Sequence, residues 1–262
     1  INRTNMSTDK REQGAVDCLI EDGLATVTFF HPSHNSLPGK ILAKLANTIT
    51  ELGTNDAVKL ILLKSAGDRT FCAGASFDEL IAISNLEEGK KFFMGFANVI
   101  NAMRKCPKLI IGRVQGKAVG GGVGVASATD FCVATKFASV KLSELAVGIG
   151  PFVVGPAVER KVGLSAMSQM AIDASTWQTA DWAKEKGLFT ELFDSAEEMD
   201  AYLEGYLKKL LSYNPEAMSD LKKVIWQGTE HWDDLLAERA GISGKLVLSE
   251  FTKNFIKQFQ TK

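Results

Sequence analysis

The first strongly patterned stretch of the chain, "AVDCLIEDGLATVTFF" (15–30), is two strand-like runs around Glu21-Asp22-Gly23. Asp-Gly between two such runs marks a hairpin. A helical period follows. Ile41, Leu42, Leu45, Ile49 and Leu52 recur at helical spacing and Gly53 closes the series, which predicts an amphipathic helix. "VKLILLKS" (58–65) is short and almost wholly apolar, as a strand covered on both faces should be.

The loop "AGDRTFCAGASF" leads into a charged amphipathic helix over about 85–105. After Cys106-Pro107 a second buried strand, "KLIIGRV", runs into the glycines of "GKAVGGGVGVAS"; "ASATDFCVAT" and "SVKLSELAVGIGP" read as further short strands. From about residue 156 the pattern is mainly helical. Pro215 opens one helix, and "KLVLSEFTKNFIKQF" reads as a terminal amphipathic one. No low-complexity linker divides the chain. The pattern gives one α/β core over 14–200 and a helical C-terminal region over 201–262. Residues 1–13 are polar, without the apolar segment of a signal peptide, and read as a disordered tail or an expression remnant.

Composition narrows the function classes. The chain has 262 residues, 45% hydrophobic and 23% charged, with a formal net charge of −1. That near-neutral balance gives no reason to expect nucleic acid or a membrane surface as partner. Cys18, Cys72, Cys106 and Cys132 lie in apolar or strand-like contexts without the close pairing of zinc or redox sites, and read as buried free thiols of a reducing compartment, so a cytoplasmic protein is the expectation. His31 and His34 flank a Pro-Ser turn and read as a solvated loop, so no metal site is expected.

Two places combine a buried strand, an abrupt turn and small residues: Phe71-Cys72-Ala73-Gly74-Ala75-Ser76 and Gly120-Gly121-Gly122. If each strand feeds a helix, each turn exposes backbone N–H groups that favour developing negative charge. Glycine and alanine let a ligand approach the backbone closely. A dinucleotide site is the rival reading, but the glycines lack the G-x-G-x-x-G pattern and its distal acidic residue, and the Walker pattern is absent. Close helix–strand packing would also call for glycine.

The two loops in this order, with "HPSHNSLPGKILAKL", "RTFCAGASFDEL", "CPKLIIGRVQGKAVGGGVGVASATDFCVAT", "KLSELAVGIGP" and "VERKVGLSAM", resemble the crotonase superfamily, the enoyl-CoA hydratase/isomerase family, over about 16–170. The resemblance implies a crotonase-like spiral of β-β-α units with a helical C-terminal trimerisation region. It also implies an acyl-CoA substrate, and hence fatty-acid metabolism. Coenzyme A would arrive as part of the substrate, with no separate cofactor. The N–H groups of Ala75 and Gly121 would grip the thioester carbonyl, with a side chain at Gly121 filling the thioester's space. Ala73, Ser76, Phe77 and Gly120 would lie along the coenzyme's path. Phe251 and Lys253, on the last helix, would serve its adenine and pantetheine end, often across a trimer or dimer-of-trimers contact.

Hydratases of the family carry two glutamates. Here the first position is Gly124, and the second is retained as Glu144 on what reads as a late strand. One carboxylate suffices to move a proton between two carbons of an enolate, whereas hydration must also aim a water. The sequence therefore leans towards an isomerase. Asp78 and Glu79 read as solvated helix-face carboxylates, and Ser76 as a helix cap. A hydratase with a substitute second acid stays open, as does a non-catalytic acyl-CoA-binding paralogue. A hydrolase is weaker, because Pro151-Phe152 stands where the family's hydrolases carry an aspartate.

Overall fold

The computed structural model describes residues 13–260, so nearly all of the expected N-terminal tail lies outside the described residues. Strands β1 (Ala15–Glu21) and β2 (Leu24–Phe30) form the expected antiparallel hairpin, and Asp22 and Gly23 both take positive φ, as its tight turn requires. A short strand β3 (Ser36–Leu37) precedes helix α1 (Gly39–Gly53), whose apolar series is buried along one face. Strand β4 (Leu60–Ser65) pairs in parallel with β2.

From β4 onwards the chain repeats one manoeuvre: a strand in a large sheet, a sharp corner, a strand in a smaller sheet, then a helix. The first turn runs through β5 (Thr70–Cys72) and β6 (Gly74–Ala75) into α2 (Phe77–Ile81) and α3 (Leu86–Lys105). The second passes from β7 (Leu109–Val114) through β8 (Lys117–Val119) to α4 (Gly121–Ser127). The third passes from β9 (Phe131–Thr135) through β10 (Ser139–Lys141) to a 3₁₀ turn (Glu144–Val147) and α5 (Gly155–Ile172), which is two helical pieces joined at the non-helical Gly163. Strand β11 (Gln178–Thr179), helix α6 (Ala180–Glu185) and strand β12 (Glu191–Phe193) follow. The large sheet has the order β1-β2-β4-β7-β9-β12 and the small one β11-β10-β8-β5, with β3 and β6 paired separately.

The chain ends in α7 (Ala196–Leu211), α8 (Pro215–Ile225), α9 (Trp232–Leu246) and α10 (Glu250–Gln260). Strand β4 is covered on both faces, as its composition requires. Ile61 and Leu63 join the main core with Phe29, Ile110 and the buried face of α1, while Leu60 and Leu62 meet Leu203 and Leu207 of α7. Each such leucine or isoleucine taken fully from water contributes about 1.5–3 kcal/mol. A buried ion pair fixes α8 to the sheet: Lys222 Nζ lies 2.6 Å from Asp130 Oδ2, and Trp226 Nε1 donates to Asp130 Oδ1 at 2.7 Å.

Several sequence expectations change. Glu144 sits in a 3₁₀ turn and not a strand, because β10 stops at Lys141 and the chain curls to the left-handed Gly148. "KLVLSEFTKNFIKQF" is not one helix; α9 and α10 are separated at residues 247–249. The mainly helical stretch after 156 includes β11 and β12, and β12 completes the large sheet beside β9. Cys72, Cys106 and Cys132 are buried, but Cys18 is exposed, since β1 is an edge strand left uncovered beyond Val16. No helix of the described residues is long and apolar enough to cross a membrane.

Candidate active site

The two glycine-bearing turns meet in space. Gly74, with φ +90°, turns the chain between β5 and β6, a conformation that L side chains rarely adopt. A Cβ on Gly74 would lie 3.3 Å from Val119 O and 3.9 Å from Gly121 N, so the first loop rests directly on the second. Flanking amides tie the first loop to β3: Ala73 N donates to Asn35 O at 3.2 Å and Ser76 N to Leu37 O at 3.1 Å. Ser36 Oγ donates to Ala75 O at 2.8 Å.

Asn35 is the fastener behind this loop. It is buried, its φ is +55°, and its Nδ2 donates to Ala66 O and Thr70 O, both at 2.9 Å. Sequence reasoning passed over it. A polar residue tolerant of left-handed backbone, between a Pro-Ser turn and a strand, was the available signal.

Each glycine of the second turn answers a different neighbour. Gly120 has φ +53°, and a Cβ there would stand 2.8 Å from Glu144 Oε1. A Cβ on Gly121 would enter the ring of Phe96, and one on Gly122 would meet Cys72 O. The expectation that a Gly121 side chain would fill the thioester's space is thus corrected: that direction is occupied by Phe96. Gly121 is the first residue of α4, a position whose amide has no acceptor within the helix.

Gly124 lies further in. A Cβ there would be 2.6 Å from Val154 Cγ1 and 2.9 Å from Val154 Cβ, with Ile100 Cδ1 at 3.4 Å. The space beside Gly124 is packed with hydrocarbon.

A cavity of about 200 Å³ opens between these elements. Ala73, Gly74, Ala75 and Phe77 line it from the first loop, and Gly120, Gly121 and Glu144 from the second side. Phe92, Phe93 and Phe96 of α3 wall the rest with Val147, Val153 and Val154. The sequence "KKFFMGF" carries those three rings at helical spacing, a signal for a cavity wall that the amphipathic pattern of α3 alone does not single out.

Glu144 is the one titratable residue among the residues lining this cavity. Its Oε2 is shut away from solvent without a hydrogen-bond partner, although the residue as a whole is half-buried. Burial pushes its acid up to about 7, against a smaller downward pull from its own backbone amide. A carboxyl group held near neutrality can take or give a proton at little cost. Asp78 and Glu79 do not line the cavity; Glu79 is not simply solvated, because its Oε2 accepts from Gly39 N at 2.8 Å.

Ser76 also stays outside the lining, where its Oγ caps α2 by accepting from Glu79 N at 3.3 Å. Phe251 and Lys253 are not brought to the cavity by this chain. Phe251 is 65% exposed with its ring edge against Gly148, and Lys253 faces Glu250 on α10. Among the described residues no three His, Cys, Asp or Glu side chains gather as metal ligands would.

A family model described as Enoyl-CoA hydratase/isomerase matches residues 19–253. The chain belongs to that family. Among its enoyl-CoA hydratase/isomerase relatives, the Short-chain-enoyl-CoA hydratase of Clostridium acetobutylicum is 28% identical over 245 residues, 92% of this chain and 93% of that protein. Methylglutaconyl-CoA hydratase, mitochondrial, of Homo sapiens is 30% identical over 200 residues, 75% of this chain but 58% of that protein. Ethylmalonyl-CoA decarboxylase of Xenopus tropicalis is 29% identical over 140 residues, and the match spans 46% of its length. The crystal structure of enoyl-CoA hydratase from Bacillus halodurans is similar at a TM-score of 0.85 with 19% identity, covering 93% of this chain and 99% of that one. At that identity the likeness establishes the crotonase fold alone. The relatives' names include both hydratases and a decarboxylase, so membership of the enoyl-CoA hydratase/isomerase family does not fix the reaction.

Proposed function

We propose that the protein is an isomerase that moves a carbon–carbon double bond along an enoyl-CoA, with one carboxylate carrying the proton. The thioester carbonyl lies against the N–H groups of Ala75 and Gly121. Glu144 takes a proton from the carbon beside that carbonyl, and the negative charge passes to the thioester oxygen. The carboxylic acid so formed returns the proton two bonds further along, leaving the double bond conjugated with the carbonyl. Fixed backbone donors stabilise that oxyanion without reorganising, and one such donor is worth about 2.7–4 kcal/mol. Coenzyme A enters and leaves as part of the substrate, passing Ala73 and Phe77.

The observation that carries this reading is the single acid. Among the described residues Glu144 is the one titratable group lining the cavity, and Val154 fills the space beside Gly124. Hydration needs a second group to aim the water while the first delivers a proton. A hydratase reading has its support in the relatives named as hydratases. A mere acyl-CoA binder would have no use for a buried, unpartnered carboxyl group.

Assembly as a trimer or a dimer of trimers belongs to the same reading. The exposed apolar side chains of the C-terminal helices support it, among them Leu221, Val224, Phe251 and Phe259. Light scattering at micromolar concentration should report a multiple of three, and a monomer would overturn this part.

The test of the chemistry is direct. A 3-enoyl-CoA should gain the absorbance of a conjugated thioester faster than a 2-enoyl-CoA loses it to hydration. Faster hydration would replace the isomerase reading with a hydratase.

A further inference from the structure

Two helices that contribute to the cavity wall, α3 and α9, are in unusually close contact beside it. A Cβ on Gly89 of α3 would lie 2.6 Å from Gly244 O of α9, and a Cβ on Gly244 would lie 2.6 Å from Lys90 N. Backbone therefore meets backbone at this crossing, with no room for a hydrocarbon chain between the helices. Gly89 shares a helix face with Phe92, Phe93 and Phe96, and Ser243, beside Gly244, lines the cavity. The three rings and Ser243 thus line the cavity on the side where the two helices cross.

The wall chemistry is equally restrictive. Leu80, Val147, Val153 and the three phenylalanines supply most of its surface, Ser143 and Ser243 are its neutral polar side chains, and no Lys, Arg or His is among the described lining residues. The one charged group is Glu144, an anion when ionised. A free carboxylate on the acyl group would be buried without a counter-ion beside another carboxylate.

We propose that this site selects a short, uncharged acyl group of about four to six carbons, with Phe93 and the Gly89–Gly244 crossing setting the length limit. The proposal rests on the acyl-CoA reading of the same cavity. An apolar cavity of about 150 Å³ holds the six carbons of benzene. By that measure the 200 Å³ here holds about eight heavy atoms, three of them the sulfur, carbon and oxygen of the thioester.

The test is calorimetric binding of saturated thioesters, which needs no turnover. Coenzyme A, butyryl-, pentanoyl-, hexanoyl-, decanoyl- and glutaryl-CoA are compared. Affinity should climb about fourfold per CH₂ up to about six carbons and then stop or fall at decanoyl. Glutaryl-CoA should bind at least about tenfold more weakly than pentanoyl-CoA, which has the same number of acyl carbons. In Phe93→Ala the break should move to longer chains with the affinity for coenzyme A unchanged. Glutaryl matching pentanoyl, or affinity still climbing from hexanoyl to decanoyl in the wild type, overturns the proposal. If no thioester binds more tightly than coenzyme A, the acyl-CoA reading falls with it. If pentanoyl is preferred but no double bond moves, only the isomerase reading falls.

Discussion

Val154 stands where a side chain on Gly124 would have to go: a Cβ at residue 124 would lie 2.6 Å from Val154 Cγ1. The position that the family resemblance marks for a second glutamate is therefore closed by packing as well as vacant in sequence. A carboxylate there would be forced into hydrocarbon supplied by Val154 and Ile100.

Gly124→Glu alone should accordingly destabilise the protein. Overpacking of this kind costs about 1–3 kcal/mol, before the unpaired charge is counted. Gly124→Glu combined with Val154→Gly should recover part of that loss and raise hydration relative to isomerisation. Thermal unfolding and the two rates, measured on both variants, check this; a fully stable single variant would show that Val154 yields easily.

Glu144→Gln should remove activity and at the same time stabilise the fold. The shape is kept, the base is lost, and turnover should drop by about 10²–10⁴-fold. The sign of the stability change follows from the raised acid, which sits at about 7 instead of its ordinary 4.5. Below pH 4.5 the carboxyl is protonated in both states and costs nothing. As pH rises from there to about 7 the unfolded chain ionises first, so the wild type loses stability. Above that window the penalty is full, on the order of 3 kcal/mol. The glutamine variant should therefore melt higher than the wild type at pH 8 and equally at pH 4. A lower melting temperature at pH 8 would mean that Glu144 is held by a partner.

The same shift sets the pH profile of turnover. Proton abstraction needs the ionised form, so activity at limiting substrate should rise with pH and level off above about 7. A profile already flat from pH 5 upward would exclude a buried Glu144 as the base.

Gly121→Ala should lose stability because its Cβ enters the Phe96 ring, not because it blocks the thioester. The backbone N–H survives the substitution. Adding Phe96→Ala should relieve that clash but leave the cavity of a lost core ring, so the double variant should be no more stable than Phe96→Ala alone. A double variant markedly less stable than Phe96→Ala would place the damage in the turn at Gly121 itself.

Lys222→Met should leave Asp130 buried and short of its cation, at a cost of about 3–5 kcal/mol. Changing both partners, Asp130→Asn with Lys222→Met, should cost less, since no uncompensated charge remains. Urea unfolding of the single and double variants measures the difference.

Local pattern determined much of this protein. Two strand-like runs around Asp22-Gly23 dictate the β1–β2 hairpin, the spacing from Ile41 to Leu52 dictates α1, and the unbroken apolar run dictates a strand with both faces covered. Order and spacing of short motifs around Gly74, Gly120 and Glu144 were enough to indicate the family. Tertiary structure decided what those residues face. Which neighbour makes each glycine obligatory, namely Glu144, Phe96, Cys72 or Val154, depends on residues 24 to 50 positions apart meeting at one point, and no local period encodes such distances. The role of Asn35 as a fastener, the three phenylalanines as a wall, and the Gly89–Gly244 crossing belong to the same class. Backbone propensity and solvent exposure act residue by residue and so can be read along the chain. The volume left between packed elements, and the desolvation that raises Glu144, exist only once those elements have closed around it.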